Sequence, residues 1–226
     1  MLIKPKLIIF DVNETLLDLE PLKIKVNAIL ENSNAFEIWF RMLLHYSLVE
    51  TTTGGYKGFG AIGKATFKML TTQLQITISE DQIDVVLGTI RNLPPHSDVK
   101  TGLSKLKESG YKLMALTNSS TETMTAQLKF AEIDDYFDAF ISVEEIKKYK
   151  PHPDTYKYVL DKYNLPAAEA LMLAAHAWDI LGAKRCGLQT AFINRPGKQL
   201  YPLEGSPDMT GSNIVDIAEQ LRKMYI

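Results

Sequence analysis

The chain is predicted to be an α/β protein: a doubly wound, Rossmann-like parallel sheet with an all-helical cap inserted after its first strand. Three observations predict this. Leu7-Ile8-Ile9-Phe10 is a short apolar run that ends at a carboxylate, Asp11. Residues 98–195 alternate strand-like apolar runs with helical segments, the pattern of a parallel sheet covered on both faces. Residues 18–97 carry helical patterning throughout and no comparable strand. The core is therefore assigned to 1–17 and 98–226, and the cap to 18–97.

Each element has its own signal. Leu7 to Phe10 reads as a buried strand delivering Asp11 to the carboxyl edge of the sheet, where open α/β sheets place their ligand crevice. In the cap, Ile24, Val26, Ile29 and Leu30 are followed by Phe36, Ile38, Trp39, Phe40, Met42, Leu43 and Leu44, with further helical spacing at 65–70 and 83–90. Thr51-Thr52-Thr53-Gly54-Gly55 and Leu93-Pro94-Pro95 read as loops. Past the cap, Leu103 and Leu106 mark a helix closed near Gly110. A strand over 111–116 ends at Thr117-Asn118-Ser119, and Ser119 with Glu122 has capping-box spacing for the next helix. Strands follow at 139–142, 171–174 and 189–193, with helices at 154–163, 178–186 (closed by Gly187) and 213–224.

Composition narrows the function classes. The 226 residues are 46% hydrophobic and 23% charged, ordinary for a globular chain. A net charge of −2 supplies no basic field for nucleic acid or an anionic membrane. One cysteine, Cys186, excludes an internal disulfide and fits a reducing compartment. The first residues run straight into a strand without a signal-peptide pattern, and no apolar run reaches bilayer length, so the expectation is a soluble cytoplasmic protein.

Four segments occur in order: Asp11-Val12-Asn13-Glu14-Thr15, Thr117-Asn118-Ser119, Tyr149-Lys150-Pro151 and Ala174-Ala175-His176-Ala177-Trp178-Asp179. With them the chain resembles the haloacid dehalogenase superfamily, and within it the L-2-haloacid dehalogenases. The resemblance implies Asp11 as nucleophile, steadied by Thr15, with Lys150 keeping it ionised and Asp179 pairing with Lys150 or orienting water. Asp179 also suits a helix N-terminus on its own account. Phosphatases of the superfamily have a second Asp where this chain has Asn13, and an acidic residue where it has Ala175. A leaving halide needs no proton, and a site short of one carboxylate is poorer in oxygen ligands for a hard cation. No metal and no cofactor are therefore expected.

The same resemblance assigns the pocket. Arg41, after Trp39 and Phe40, is expected to reach the halide from the cap, against the plainer reading of a surface arginine on an amphipathic helix. Asn118 is the second halide contact, with Phe59 and Trp178 as apolar walls; Thr117 is expected at the substrate carboxylate or behind Asp11; Asn13 and Tyr156 complete the substrate side. His176 departs from the asparagine often found in its place and suits general-base chemistry near neutral pH. The resemblance to a His-containing subset implies that Glu20 orients it.

Together these imply two-step hydrolysis of short L-2-haloalkanoates to 2-hydroxy acids of inverted configuration, through an ester of Asp11. The partners expected are the 2-haloacid and its halide, with neither nucleic acid nor membrane, and a homodimer is left open. A small-molecule phosphatase of the same superfamily and a non-catalytic binding module that has kept the fold are the alternatives.

Overall fold

β1 (Leu7–Phe10) is the hub of the molecule. In the computed structural model, which describes residues 3–225, it pairs in parallel with β2 (Lys112–Thr117) on one side and β4 (Ala170–Ala174) on the other. β3 (Ala139–Ser142) extends the sheet beyond β2, and β5 (Gln189–Ile193) and β6 (Met209–Gly211) extend it beyond β4, giving the all-parallel order β3-β2-β1-β4-β5-β6 among the described residues. The chain thus leaves β1 toward one side and returns to the other, which makes the β1/β4 boundary a topological switch point. The register aligns Phe10 with Ala115 and Leu173, and the Asp11 amide donates to the Leu173 carbonyl at 3.1 Å. Asp11 therefore emerges at the middle of the carboxyl edge.

Alternation along β1 sorts the core. Ile8 and Phe10 face one layer together with Leu113, Ala115, Leu171 and Leu173; Leu7 and Ile9 face the other together with Met114 and Met172. The first layer holds α5 (Val99–Glu108), α6 (Thr121–Phe130) and α9 (Ile214–Tyr225), and its apolar contacts run on into the cap. The second holds α7 (Pro153–Tyr163) and α8 (Ala177–Arg185).

Four helices stand between β1 and α5: α1 (Glu20–Ile29), α2 (Ala35–Thr52), α3 (Phe59–Gln73) and α4 (Glu80–Gly88). Phe36, Trp39, Phe40 and Leu43 form the buried stripe of α2 at helical spacing. The threonine run expected as loop instead prolongs α2, because Thr51 and Thr52 donate to the carbonyls of Ser47 and Leu48 and the turn comes only at Gly54, with φ +78°. Cap and core are tied at Tyr149, whose amide donates to Thr51 Oγ1 at 3.0 Å and whose hydroxyl donates to the Lys57 carbonyl.

The expected strands and helices are present, with shifted ends. The cap of α6 is Ser120 rather than Ser119: its Oγ accepts from the Thr123 amide at 3.2 Å. Ser119 faces the other way and accepts from Asn13, while Glu122 pairs with Arg91. β6 was not expected; three residues, one of them exposed, make no readable apolar run.

Candidate active site

Asp11 lies at the end of β1 in a fully assembled charge network. Lys150 Nζ donates to Asp11 Oδ1 at 2.9 Å, to Asp179 Oδ2 at 2.6 Å and to the Leu116 carbonyl at 3.0 Å. Thr15 Oγ1 donates to Asp11 Oδ2 at 2.7 Å and accepts from the Ala175 amide at 2.9 Å, so one hydroxyl links the first and fourth motif loops. Burial alone would raise the Asp11 carboxyl, but the Lys150 ammonium and His176 reverse this and hold it well below the usual carboxylate range. Burial likewise works against charge on Lys150, and Asp11 and Asp179 overcome it. The pair is ionised on both sides.

Asp179 enters from the first turn of α8 and is completely buried. Tyr156, on α7, donates its hydroxyl to Asp179 Oδ1 at 2.5 Å. The two helices meet this closely because residue 182 is glycine: a Cβ there would lie 2.5 Å from Pro151 and 2.7 Å from the Tyr156 hydroxyl. Tyr156 was expected at the substrate; it serves Asp179 instead, and its ring is fully enclosed.

His176 sits directly before α8, between two carboxylates. Its Nδ1 is 2.9 Å from Asp11 Oδ2 and its Nε2 is 2.7 Å from Glu14 Oε2. Trp178 stacks on the imidazole, with ring centroids 4.9 Å apart. Burial pushes the imidazole toward neutrality, yet Asp11 and then Glu14 outweigh it and raise its pKa to about 9. With the proton on both nitrogens, each ring nitrogen donates to one carboxylate. Glu14 is bound on its other oxygen by Lys198, at 2.6 Å.

The expected partner of His176, Glu20, is not there. It is the first residue of α1, exposed, and paired with Lys23 at 3.6 Å. The correction has a geometric cause. Glu14 adopts the left-handed region, φ +62°, in the tight turn after Asp11, and that turn returns its side chain to the strand edge. Glu20 comes after the chain has already left for the cap.

The cavity beside this network lies between cap and core. Asn13 and Ser119 line it from below, and Trp39, Phe40, Leu43 and Phe59 from the cap. Asn13 Nδ2 donates to Ser119 Oγ at 3.2 Å, and its Oδ1 accepts from Gln127 Nε2 at 2.8 Å. Asn118 Oδ1 accepts from the Lys150 amide at 3.0 Å, which fixes the backbone carrying the lysine. Thr117 Oγ1 accepts from the Ser119 amide at 3.1 Å and so shapes the turn that follows β2.

Arg41 is absent from this cavity. The inward positions of α2 are 36, 39, 40 and 43, and residue 41 falls off that stripe into solvent. Arg41 is placed as the plainer reading has it, on the exposed face of α2. No lysine, arginine or histidine lines the cavity among the described residues.

Two further residues were missed. Gln127 also donates to the Ile90 carbonyl at 2.9 Å, joining Asn13 to the cap. Arg195, just beyond β5, donates to the Thr15 carbonyl at 2.9 Å and binds Asp98 at 2.6 Å, clamping the first motif loop from behind. Its position past a strand end was the available signal.

A family model for haloacid dehalogenase-like hydrolases matches residues 5–187. The chain belongs to that family. It is 29% identical over 200 residues to (S)-2-haloacid dehalogenase 4A of Burkholderia cepacia, covering 84% of this chain and 83% of that one. It is 27% identical over 173 residues to haloacetate dehalogenase H-2 of Moraxella sp. (strain B), covering 76% and 77%. The fold matches that of L-2-haloacid dehalogenase from Xanthobacter autotrophicus with chloropropionic acid covalently bound. That match has a TM-score of 0.89 at 22% identity, over 97% of this chain and 99% of the other. Among the described residues no helix is long and apolar enough to cross a membrane.

Proposed function

We propose that this family member is a hydrolytic dehalogenase of L-2-haloalkanoic acids, working through an ester of Asp11. The observation that carries the reading is the state of Asp11: a buried carboxylate, kept ionised by Lys150 and aimed by Thr15 from a strand end. That is a nucleophile held ready. Names of relatives support the substrate class. Asn13 argues against phosphate ester chemistry. Its amide is oriented by one bond to Ser119 and one from Gln127, and an amide has no acidic proton to give a leaving alkoxide.

In the first step an Asp11 oxygen forms a bond to C2, the carbon–halogen bond breaks, and halide leaves with its electron pair. C2 inverts. Asn118 is buried beside Lys150 with its amide nitrogen unpartnered among the described residues, and offers the departing anion a neutral donor.

The second step follows from the electrostatics of His176. In the free enzyme the Asp11 charge, with Glu14, keeps the imidazole protonated, so it is no base. Ester formation abolishes that charge while burial remains. The Nδ1 proton is then lost to solvent, as the one proton the overall hydrolysis releases, and the neutral ring becomes a base at the moment it is needed. Water gives a proton to Nδ1 and attacks the Asp11 carbonyl carbon. The tetrahedral intermediate collapses, the ester oxygen leaves on the 2-hydroxy acid and takes that proton, and the new Asp11 carboxyl returns its own proton to His176. Glu14, on Nε2, stabilises the imidazolium each time it forms.

Halide release from L- and D-2-bromopropionate, beside phosphate release from p-nitrophenyl phosphate, each measured with a chelator and with added Mg²⁺, tests the reading. The expected result is bromide from the L-isomer alone. Phosphate release without bromide would overturn it.

A further inference from the structure

The cavity between cap and strand ends has a volume of about 80 Å³. Its walls are mostly hydrocarbon from the cap, and its polar groups, all uncharged, lie toward the core: Trp39 Nε1 donates to the Gly63 carbonyl at 2.9 Å, Asn13 is bonded on both amide atoms, and Ser120 donates to Thr123 Oγ1 at 3.0 Å. An anion moved into it would lose hydration and find no charged partner. An alkyl chain would lose nothing and gain burial.

A second observation comes from the backbone. Gly60 and Gly63 lie one turn apart on α3, and both line this cavity. After proline, glycine is the least favoured helical residue. Sterics do not require it at either place. A Cβ on Gly60 would meet nothing within 4 Å, and one on Gly63 would touch Trp39 and Leu43 at 3.6 to 3.9 Å, which is ordinary contact. What side chains there would remove is the open volume.

We propose that this cavity is the subsite for the hydrocarbon substituent on C2 of the substrate, sized by Gly60 and Gly63, so that the enzyme prefers 2-haloacids with a longer alkyl chain. The proposal rests on the dehalogenase reading. At roughly 10–15 Å³ per water-sized group, the cavity takes about five to eight heavy atoms, enough for a propyl to pentyl chain and far more than the methyl of a halopropionate.

The test is the kcat/KM for bromide release from 2-bromopropionate, 2-bromobutanoate, 2-bromopentanoate and 2-bromohexanoate, with native protein and with Gly60→Leu and Gly63→Ala. Native kcat/KM should rise about fourfold per methylene, the equivalent of about 0.8 kcal/mol for each one buried. In Gly60→Leu the hexanoate-to-propionate ratio should fall by about tenfold or more, and in Gly63→Ala, which adds one methyl, by about fourfold at most. Each substitution raises helix propensity, so folding is preserved, and circular dichroism checks it. A flat native profile with unchanged ratios in the variants overturns the subsite and leaves the dehalogenase standing. No bromide from any member of the series overturns both.

Discussion

Replacing Glu14 with glutamine removes one of the two carboxylates that hold the His176 proton and leaves the shape of the site unchanged. The contact is a 2.7 Å charge-assisted hydrogen bond at a residue that retains 16% side-chain exposure. Such bonds contribute about 1.5–3 kcal/mol. That free energy corresponds to a His176 pKa lowered by about one to two from its native value. The same weakening acts on the imidazolium that forms during ester hydrolysis, so the second step should slow by about 10- to 150-fold. The first step, which draws on Asp11, Lys150, Thr15 and Asn118 and not on Glu14, should be much less affected. Rapid-quench measurement of halide should therefore show a burst of one per site followed by slow turnover. Mass spectrometry should find the Asp11 carboxylate esterified by the substrate's carboxyalkyl group on the peptide containing Asp11, and a histidine NMR titration should report the lowered pKa. Glu20→Gln is the control, since Glu20 is exposed and paired with Lys23. Ester hydrolysis at the native rate in Glu14→Gln, or a burst in Glu20→Gln instead, would refute the reasoning.

Arg41→Ala should keep turnover within about twofold of native, because surface substitutions away from special features change little; a loss of several orders of magnitude would return the halide role to Arg41. Lys150→Met should abolish halide release and destabilise the fold by about 3–5 kcal/mol, since Asp11 and Asp179 would be left as buried charges without a partner; urea denaturation measures it. Stability should also depend on His176. Its folded pKa of about 9 lies above the ordinary 6.5, so the folded state binds the extra proton between those values. The contribution is therefore complete below pH 6.5 and lost as pH rises to 9, and urea midpoints should fall over that window. His176→Gln should flatten that part of the profile.

The sheet and its carboxyl-edge loops were legible because buried strands announce themselves as apolar runs. Leu7–Phe10, Ala139–Ser142 and Gln189–Ile193 needed only that signal. Asp11, Lys150, Asp179 and His176 were named from the resemblance of their four segments to the dehalogenases, and three of them, Asp11, His176 and Asp179, lie at strand or helix ends that their neighbours fix. The site partners were harder. Glu14 was in plain view within the first motif, but its contact with His176 depends on a left-handed turn, and a non-glycine residue gives no sign of that. Gln127 and Arg195 act across separations of 114 and 180 residues, and nothing in the linear order pairs them with Asn13 and Thr15. Arg41 shows the opposite error. Helical phase alone places it off the stripe formed by Phe36, Trp39, Phe40 and Leu43, so periodicity was the better guide there than resemblance.

The central claim is that Asp11, not water, attacks carbon. A single turnover with excess enzyme in ¹⁸O-labelled water tests it most directly, with mass spectrometry of both the product and the Asp11 peptide. The account requires water to add at the Asp11 carbonyl carbon, so the label should appear in the Asp11 carboxylate while the 2-hydroxy acid leaves with an unlabelled hydroxyl. Label in the product hydroxyl with none in Asp11 would mean direct displacement by water, and the covalent mechanism would be wrong.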